Sequence, residues 1–269
     1  MTRPIITLTT DFGLDDPYVA QMKGVILAIN PDVQLVDVTH AVPKQDVLHA
    51  ARMIDEMVDA FPRNTIHVAV VDPGVGTDRF LVGVELGRWR FVAPDNGVLS
   101  AIAQRFPLDR AMRLTRETYW RNSVSNTFHG RDVMAPVAAH WSLDADLAAF
   151  GEPLQTPLLE LPQSKPERLP NGVLGQVLRA DSFGNLVTNI DRSWLPAGDW
   201  QGLTIQVGAQ AINGICRCYD ERPPGTLMAL IGSTGKLEIA VSRGSALELL
   251  KPAPEATVTV LGFIAPTKE

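Results

Sequence analysis

Short apolar, β-branched runs alternate with segments of helical spacing through the first half of the chain. Ile5 to Thr10 is one such run and ends at Asp11-Phe12-Gly13. Apolar positions from Tyr18 to Ile29 recur at helical spacing and stop at Asn30-Pro31. Val33 to Val38 reads as a second buried strand, and Asp46 is placed to cap a helix running to about Phe61. Ile66 to Val71 reads as a third strand. Phe80 to Leu86 and Phe91 to Ala93 read as a fourth and fifth, joined as a hairpin, and Gly97 to Gln104 and Val133 to Trp141 read as helical. This alternation predicts an α/β, Rossmann-like domain over residues 1–151, with a parallel sheet and helices on both faces.

The pattern changes at Gly151. Residues 152–171 include Pro153, Pro157, Pro162, Pro166 and Pro170 and read as a linker. Beyond it come short strands with turn residues: Gly172 to Ala180, Leu186 to Ile190, Leu203 to Val207, Leu227 to Ile231, Lys236 to Val241 and Ala256 to Leu261. Residues 172–269 are therefore expected to form a smaller all-β domain, a sandwich or a barrel.

Bulk properties narrow the function. The 269 residues are 45% hydrophobic and 20% charged, with a net charge of −6 and no basic block. Nucleic acid is not an expected partner, because phosphate binding needs a clustered positive face. Cys216 and Cys218, two apart on a strand, point to opposite faces and are not expected to bridge. Met1-Thr2-Arg3-Pro4 lacks a signal-peptide layout, and no apolar run is long enough to span a membrane, so a cytoplasmic protein is expected.

Candidate chemistry collects at turns. The run Ile66 to Val71 ends in Asp72-Pro73-Gly74-Val75-Gly76, with Arg79 close enough to fold back on Asp72. Open α/β sheets bind ligands at such strand ends, although strand-end Asp-Pro-Gly also serves as a plain turn. Asp11, at the first strand end, is placed to accept hydrogen bonds from a ribose diol. His129 sits in the Gly-flanked polar turn Asn126-Thr127-Phe128-His129-Gly130-Arg131-Asp132, where it suits a general base or orienting group and where Asp132 is placed to cap the next helix. The other histidines (His40, His49, His67 and His140) form no pair with metal-ligand spacing, so no catalytic metal is expected. In Asp181-Ser182-Phe183-Gly184-Asn185, an aromatic ring beside an amide suits a purine, or else a β-turn. Ser242 and Arg243 are suited to grip a carboxylate, or else form an exposed turn.

Taken together and in order, these segments resemble the S-adenosyl-L-methionine (SAM) hydroxide adenosyltransferases, adenosine-forming SAM hydrolases related to the SAM-dependent fluorinase and chlorinase. The resemblance runs from Thr10-Asp11-Phe12-Gly13 through Val71 to Gly76 and Pro94-Asp95-Asn96-Gly97 to Phe183-Gly184-Asn185 and Ser242-Arg243. It implies an α/β domain followed by a β-barrel. It also implies a homotrimer, with SAM held between one subunit's first domain and its neighbour's second. Asp72, Arg79 and His129 would be the catalytic trio. Asp11 would hold the ribose hydroxyls, Phe183 and Asn185 the adenine, Asp181 the methionine amino group, and Ser242 and Arg243 the methionine carboxylate, with Asn96 also at the substrate. The family needs no cofactor, since SAM is the substrate and adenosine and L-methionine the products.

The chemistry is consistent with that assignment. The sulfonium of SAM leaves as a neutral thioether, so the leaving group needs no acid; the weak nucleophile, water, needs orientation and base assistance. Halogenases of this superfamily carry an aromatic residue at the Asp72 position, and a carboxylate there would repel a halide. A SAM- or adenosine-binding module without turnover would keep Asp11, Phe183 and Asn185 but has no use for the trio.

Overall fold

The computed structural model describes residues 3–264. Met1 and Thr2 of the N-terminal reading, and the last five residues of the expected β domain, lie outside them. The chain divides into two compact units after Pro162.

The first unit is built on a seven-stranded mixed sheet. Its strands are β1 (Ile5–Thr10), β2 (Gln34–Thr39), β3 (Ile66–Val70), β4 (Leu81–Leu86), β5 (Trp89–Pro94), β6 (Leu108–Leu114) and β7 (Gly151–Pro153), in the order β2-β1-β3-β5-β4-β6-β7. Strands β2, β1, β3 and β5 are parallel, whereas β4, β6 and β7 run antiparallel to their neighbours. The expectation of a parallel sheet therefore holds for four of its seven strands. Leu86 and Trp89 pair across the two-residue connection Gly87-Arg88, which is too short for a crossover and forces a hairpin. Strand β6 escaped the sequence reading because Asp109, Arg110 and Arg113 interrupt its apolar pattern, and its first three residues are exposed.

Helices cover both faces. Alternate residues of the central strands, such as Ile6, Leu8, Val68 and Val70, pack against α1 (Tyr18–Ile29) and α4 (Ala135–Trp141). Ala69, Val71, Val84 and Phe91 pack on the opposite face against α2 (Val47–Met57) and α3 (Ser100–Ala103). Asp46 caps α2, accepting the His49 N–H at 2.9 Å. The Pro-rich stretch is not free of the first unit: the Leu159 N–H donates to Asp95 Oδ1 at 2.8 Å and the Leu161 N–H to Ser100 Oγ at 2.7 Å.

The second unit is an antiparallel sheet. It comprises β8 (Glu167–Leu169), β9 (Gly172–Ala180), β10 (Leu186–Asp191), β11 (Thr204–Val207), β12 (Gln210–Asn213), β13 (Leu227–Ile231), β14 (Lys236–Val241) and β15 (Thr257–Leu261), with a short helix α5 (Ala246–Leu250). The path runs β12-β11-β15-β9-β10-β14-β13, and β8 pairs with β9 off this path. A bridge between Cys216 and Leu230 links the chain just beyond β12 to β13, so the sheet is nearly closed into a barrel around Val173, Ile190, Ile205, Ile239 and Val260. Cys216 is buried, Cys218 is exposed, and both are free.

One polar pair lies inside the first sheet. Thr7 Oγ1 and His67 Nδ1 are 2.8 Å apart on adjacent strands, both buried. Burial lowers the His67 pKa from its ordinary 6.5 to about 3. Between those values the unfolded chain binds a proton that the folded chain does not, so this site destabilises the fold progressively as pH falls from 6.5 toward 3. Replacing both partners, His67→Phe with Thr7→Val, is expected to flatten that part of the acid limb in urea unfolding. An unchanged pH dependence would show that His67 carries none of it.

Candidate active site

Just beyond β3, Asp72 opens a tight reversal. Its carbonyl accepts the Val75 N–H at 3.2 Å, and the Gly74 carbonyl accepts the Thr77 N–H at 3.1 Å and the Thr77 hydroxyl at 2.7 Å. The reversal brings Arg79 back over Gly74 and onto Asp72. Arg79 Nε donates to Asp72 Oδ1 at 2.6 Å and Nη2 to Oδ2, a two-pronged ion pair. Both side chains are largely covered, Arg79 10% and Asp72 5% exposed. Gly76 makes the approach possible: it has φ +82°, and a Cβ there would overlap the Asn126 carbonyl oxygen. Asn96, an expected substrate contact, braces this turn; its amide donates to the Val71 carbonyl at 2.9 Å and its Oδ1 accepts the Val98 N–H at 3.2 Å.

His129 arrives from the turn before α4. The next residues, Gly130–Met134, form a π-helical turn, and a Cβ on Gly130 would press to 2.9 Å from Val70 Cγ1. Asp132 does not cap a helix by its side chain; it lies fully buried inside that turn. Its carboxylate accepts from Arg131 Nε at 2.7 Å and Nη2 at 2.9 Å, from Arg121 Nη1 at 2.9 Å and from the Ser125 N–H at 2.8 Å. Burial opposes its charge, but these donors hold its pKa below the usual carboxylate value. Asp132 thus fixes the turn that carries His129, a role that a lone Asp in a polar run did not reveal.

The two turns meet at one contact: Arg79 Nη2 lies 3.2 Å from His129 Nδ1. A guanidinium only donates, so Nδ1 accepts and the neutral ring carries its proton on Nε2. Burial and the Arg79 charge push the His129 pKa below its ordinary value, against opposite pulls from Asp72 and Asp132. The imidazole is therefore neutral at pH 7.

Asp72 and His129 share a cleft of about 250 Å³ with Asp11, Phe12, Phe128 and Gln45. Asp11 Oδ2 accepts the Gln45 N–H at 2.8 Å and its carbonyl accepts Lys44 Nζ at 2.6 Å. Phe12, Tyr18 and Phe128 form an aromatic cluster, with ring centroids 5.4–5.7 Å apart and Phe128 edge-to-face with both others, under this wall. The aromatic wall was not anticipated, although Phe12 and Phe128 directly adjoin Asp11 and His129.

In the second unit a cavity of about 660 Å³ is lined by Asp181, Phe183, Asn185, Arg243, Tyr219 and Glu238, among others. Phe183 is 77% exposed. Asp181 shapes this loop: Oδ1 accepts the Phe183 and Asn185 N–H groups and Oδ2 accepts Asn185 Nδ2, each at 2.9 Å. Arg243, at φ +53°, pairs with Asp220 Oδ1 at 3.1 Å. Ser242 is not brought to the cavity wall; it is fully buried, and its hydroxyl donates to the Arg222 carbonyl at 2.9 Å. Among the described residues, no group of three or more His, Cys, Asp or Glu is arranged to hold a metal ion, and no helix is long and apolar enough to cross a membrane.

A cleft at the ends of parallel strands, bearing a part-buried carboxylate–guanidinium–imidazole cluster, is a class of site suited to holding and orienting a small polar molecule. Comparison with known proteins makes the class specific. The profile of the SAM hydroxide adenosyltransferase N-terminal domain matches residues 6–151, and that of the C-terminal domain matches residues 175–259. The chain belongs to the SAM hydroxide adenosyltransferase family. It is 40% identical to an (R)-S-adenosyl-L-methionine hydrolase from Thermus thermophilus, over 92% of this chain and 95% of that one. It is 38% identical to a protein of the same name from Salinispora arenicola, over 93% and 95%. The crystal structure of an uncharacterized conserved protein from Thermotoga maritima superposes with a TM-score of 0.90 at 32% identity, covering 96% of this chain and 99% of that one.

The arrangement makes a titration prediction. Arg79→Gln removes the cation that lowers the His129 pKa and leaves Asp72 and Asp132 to raise it. The His129 ring signals in NMR should then titrate at a higher pH than in the wild type. An unchanged or lower pKa would contradict the electrostatic reading of the cluster.

Proposed function

We propose that this protein hydrolyses SAM to adenosine and L-methionine by in-line attack of water on C5′. The observation that carries this reading is the part-buried Asp72–Arg79–His129 cluster, whose Asp72 and His129 line the cleft that also holds Asp11. The hydrolase names of the relatives support the same reading.

The roles follow from the hydrogen bonds. Arg79 fills both Asp72 oxygens, yet each oxygen keeps a lone pair for a further donor. His129 presents Nε2–H, so it positions the water oxygen by donating to it, and Asp72 is the group that accepts the water proton. As the new C5′–O bond forms, the C5′–S bond breaks and its electron pair neutralises the sulfonium. Asp11 accepts from the ribose hydroxyls, Phe183 and Asn185 hold the adenine, and Arg243 takes the methionine carboxylate. Asn96, Asp181 and Ser242 act through the turns that they brace. No metal or cofactor enters this scheme, and a carboxylate at position 72 favours water over a halide.

We read the architecture as a Rossmann-like unit followed by a β-barrel, and the active assembly as a cytoplasmic homotrimer in which one subunit's trio serves SAM held by its neighbour's barrel. The separation of trio and adenine-type residues into two compact units supports this reading.

Incubation with SAM should release equimolar adenosine and methionine, with turnover unaffected by chelation. Asp72→Ala should lower kcat by about 10²–10⁴-fold, the usual span of base assistance, while SAM still binds by calorimetry. Loss of binding instead would make Asp72 a substrate contact. Mixing Asp72→Ala with Asn185→Ala subunits should restore part of the activity, because some mixed sites draw an intact half from each variant. No recovery after verified subunit exchange would reject shared sites.

A further inference from the structure

Arg79 and His129 also border a second cleft, of about 190 Å³, away from Asp11. Arg113 of β6 and Trp120 line it, together with Phe80 and Thr115. Two of these lining residues carry a donor atom without a partner. Arg113 Nε and Trp120 Nε1 are both buried atoms without a hydrogen bond. The Arg113 guanidinium stacks on Phe80, 3.9 Å from the ring centroid, and no carboxylate among the described residues pairs with it. The one carboxylate on the wall, Asp78, is exposed. The Thr77 hydroxyl already donates to the Gly74 carbonyl.

Unpaired donors that cannot accept, one of them carrying a full positive charge, call for an acceptor with negative charge. Water would satisfy the hydrogen bonds but leave the charge uncompensated in a half-buried place. The volume is well above what one water needs and leaves room for a small oxyanion with some hydration. We propose that this cleft is a binding site for a small oxyanion, a phosphate, sulfate or carboxylate group, held by Arg113 and the Trp120 indole N–H beside the Asp72–Arg79–His129 cluster. The site does not depend on the hydrolase reading, since neither Arg113 nor Trp120 has a part in it.

The test is an NMR titration of the Trp indole N–H signals with inorganic phosphate, and in separate arms sulfate and acetate, at constant ionic strength set with chloride. Trp120→Phe identifies the Trp120 signal. In the wild type that signal should shift saturably with at least one of the three anions, and the arm that saturates first names the group. Arg113→Gln should weaken saturation by about tenfold or more, as expected for loss of a charge-assisted hydrogen bond. Arg63→Gln, an exposed arginine elsewhere, should leave it unchanged. Arg113→Lys keeps the charge but loses the planar fork, and should fall between the two. A linear or absent shift with all three anions in the wild type, whatever the variants do, would overturn the proposal. An equal titration in Arg113→Gln would overturn it too.

Discussion

The buried ion pair between Asp72 and Arg79 is the constraint on which the rest of this site depends. Taking both charges out of water carries a desolvation cost that only good geometry offsets, and removing one partner of such a pair typically costs about 3–5 kcal/mol. The fork of Arg79 meets both Asp72 oxygens because a glycine-bearing reversal returns the chain within seven residues. Asn96 ties the start of that reversal to the loop after β5, and Gly76 lets it rest on the carbonyl of Asn126. The same guanidinium then reaches His129 Nδ1, so one cation orients a carboxylate and adds to burial in lowering the pKa of an imidazole.

The sheet explains why these groups meet. Strands β1 and β3 are adjacent and parallel, so Asp11 and Asp72 leave their strands at the same end. Gly130 lets the His129 turn settle against Val70, the last residue of β3. The antiparallel half of the sheet contributes in another way. Strand β6 pairs with β4 and carries Arg113 to the far side of the cluster, where the charge of Arg79 is matched by Asp72 and that of Arg113 is not.

Much of this was legible in the sequence because the relevant signals are local. β1, α1 and the Asp46 cap follow from periodicity and residue type, and the reach from Arg79 to Asp72 follows from the Pro-Gly-Val-Gly turn between them. What escaped was set by tertiary context. β6 is stabilised by pairing with β4 while its own residues alternate charge and apolarity poorly. β12 and α5 are too short for a periodic signal. Asp132 looked like a cap because its four donors come from Arg121, Ser125 and Arg131, and only the folded turn gathers them. Ser242 looked like a ligand group because a hydroxyl beside the Arg243 guanidinium suits a carboxylate, whereas in the fold that hydroxyl turns inward and donates to the Arg222 carbonyl.

The central claim is that the cluster directs a water molecule onto C5′ of SAM. Reaction in H₂¹⁸O followed by mass spectrometry of the products tests it most directly. Adenosine should carry one ¹⁸O at the 5′ position in every turnover, and methionine none. Unlabelled adenosine, label in methionine, or a 5′-substituted nucleoside in place of adenosine would contradict it.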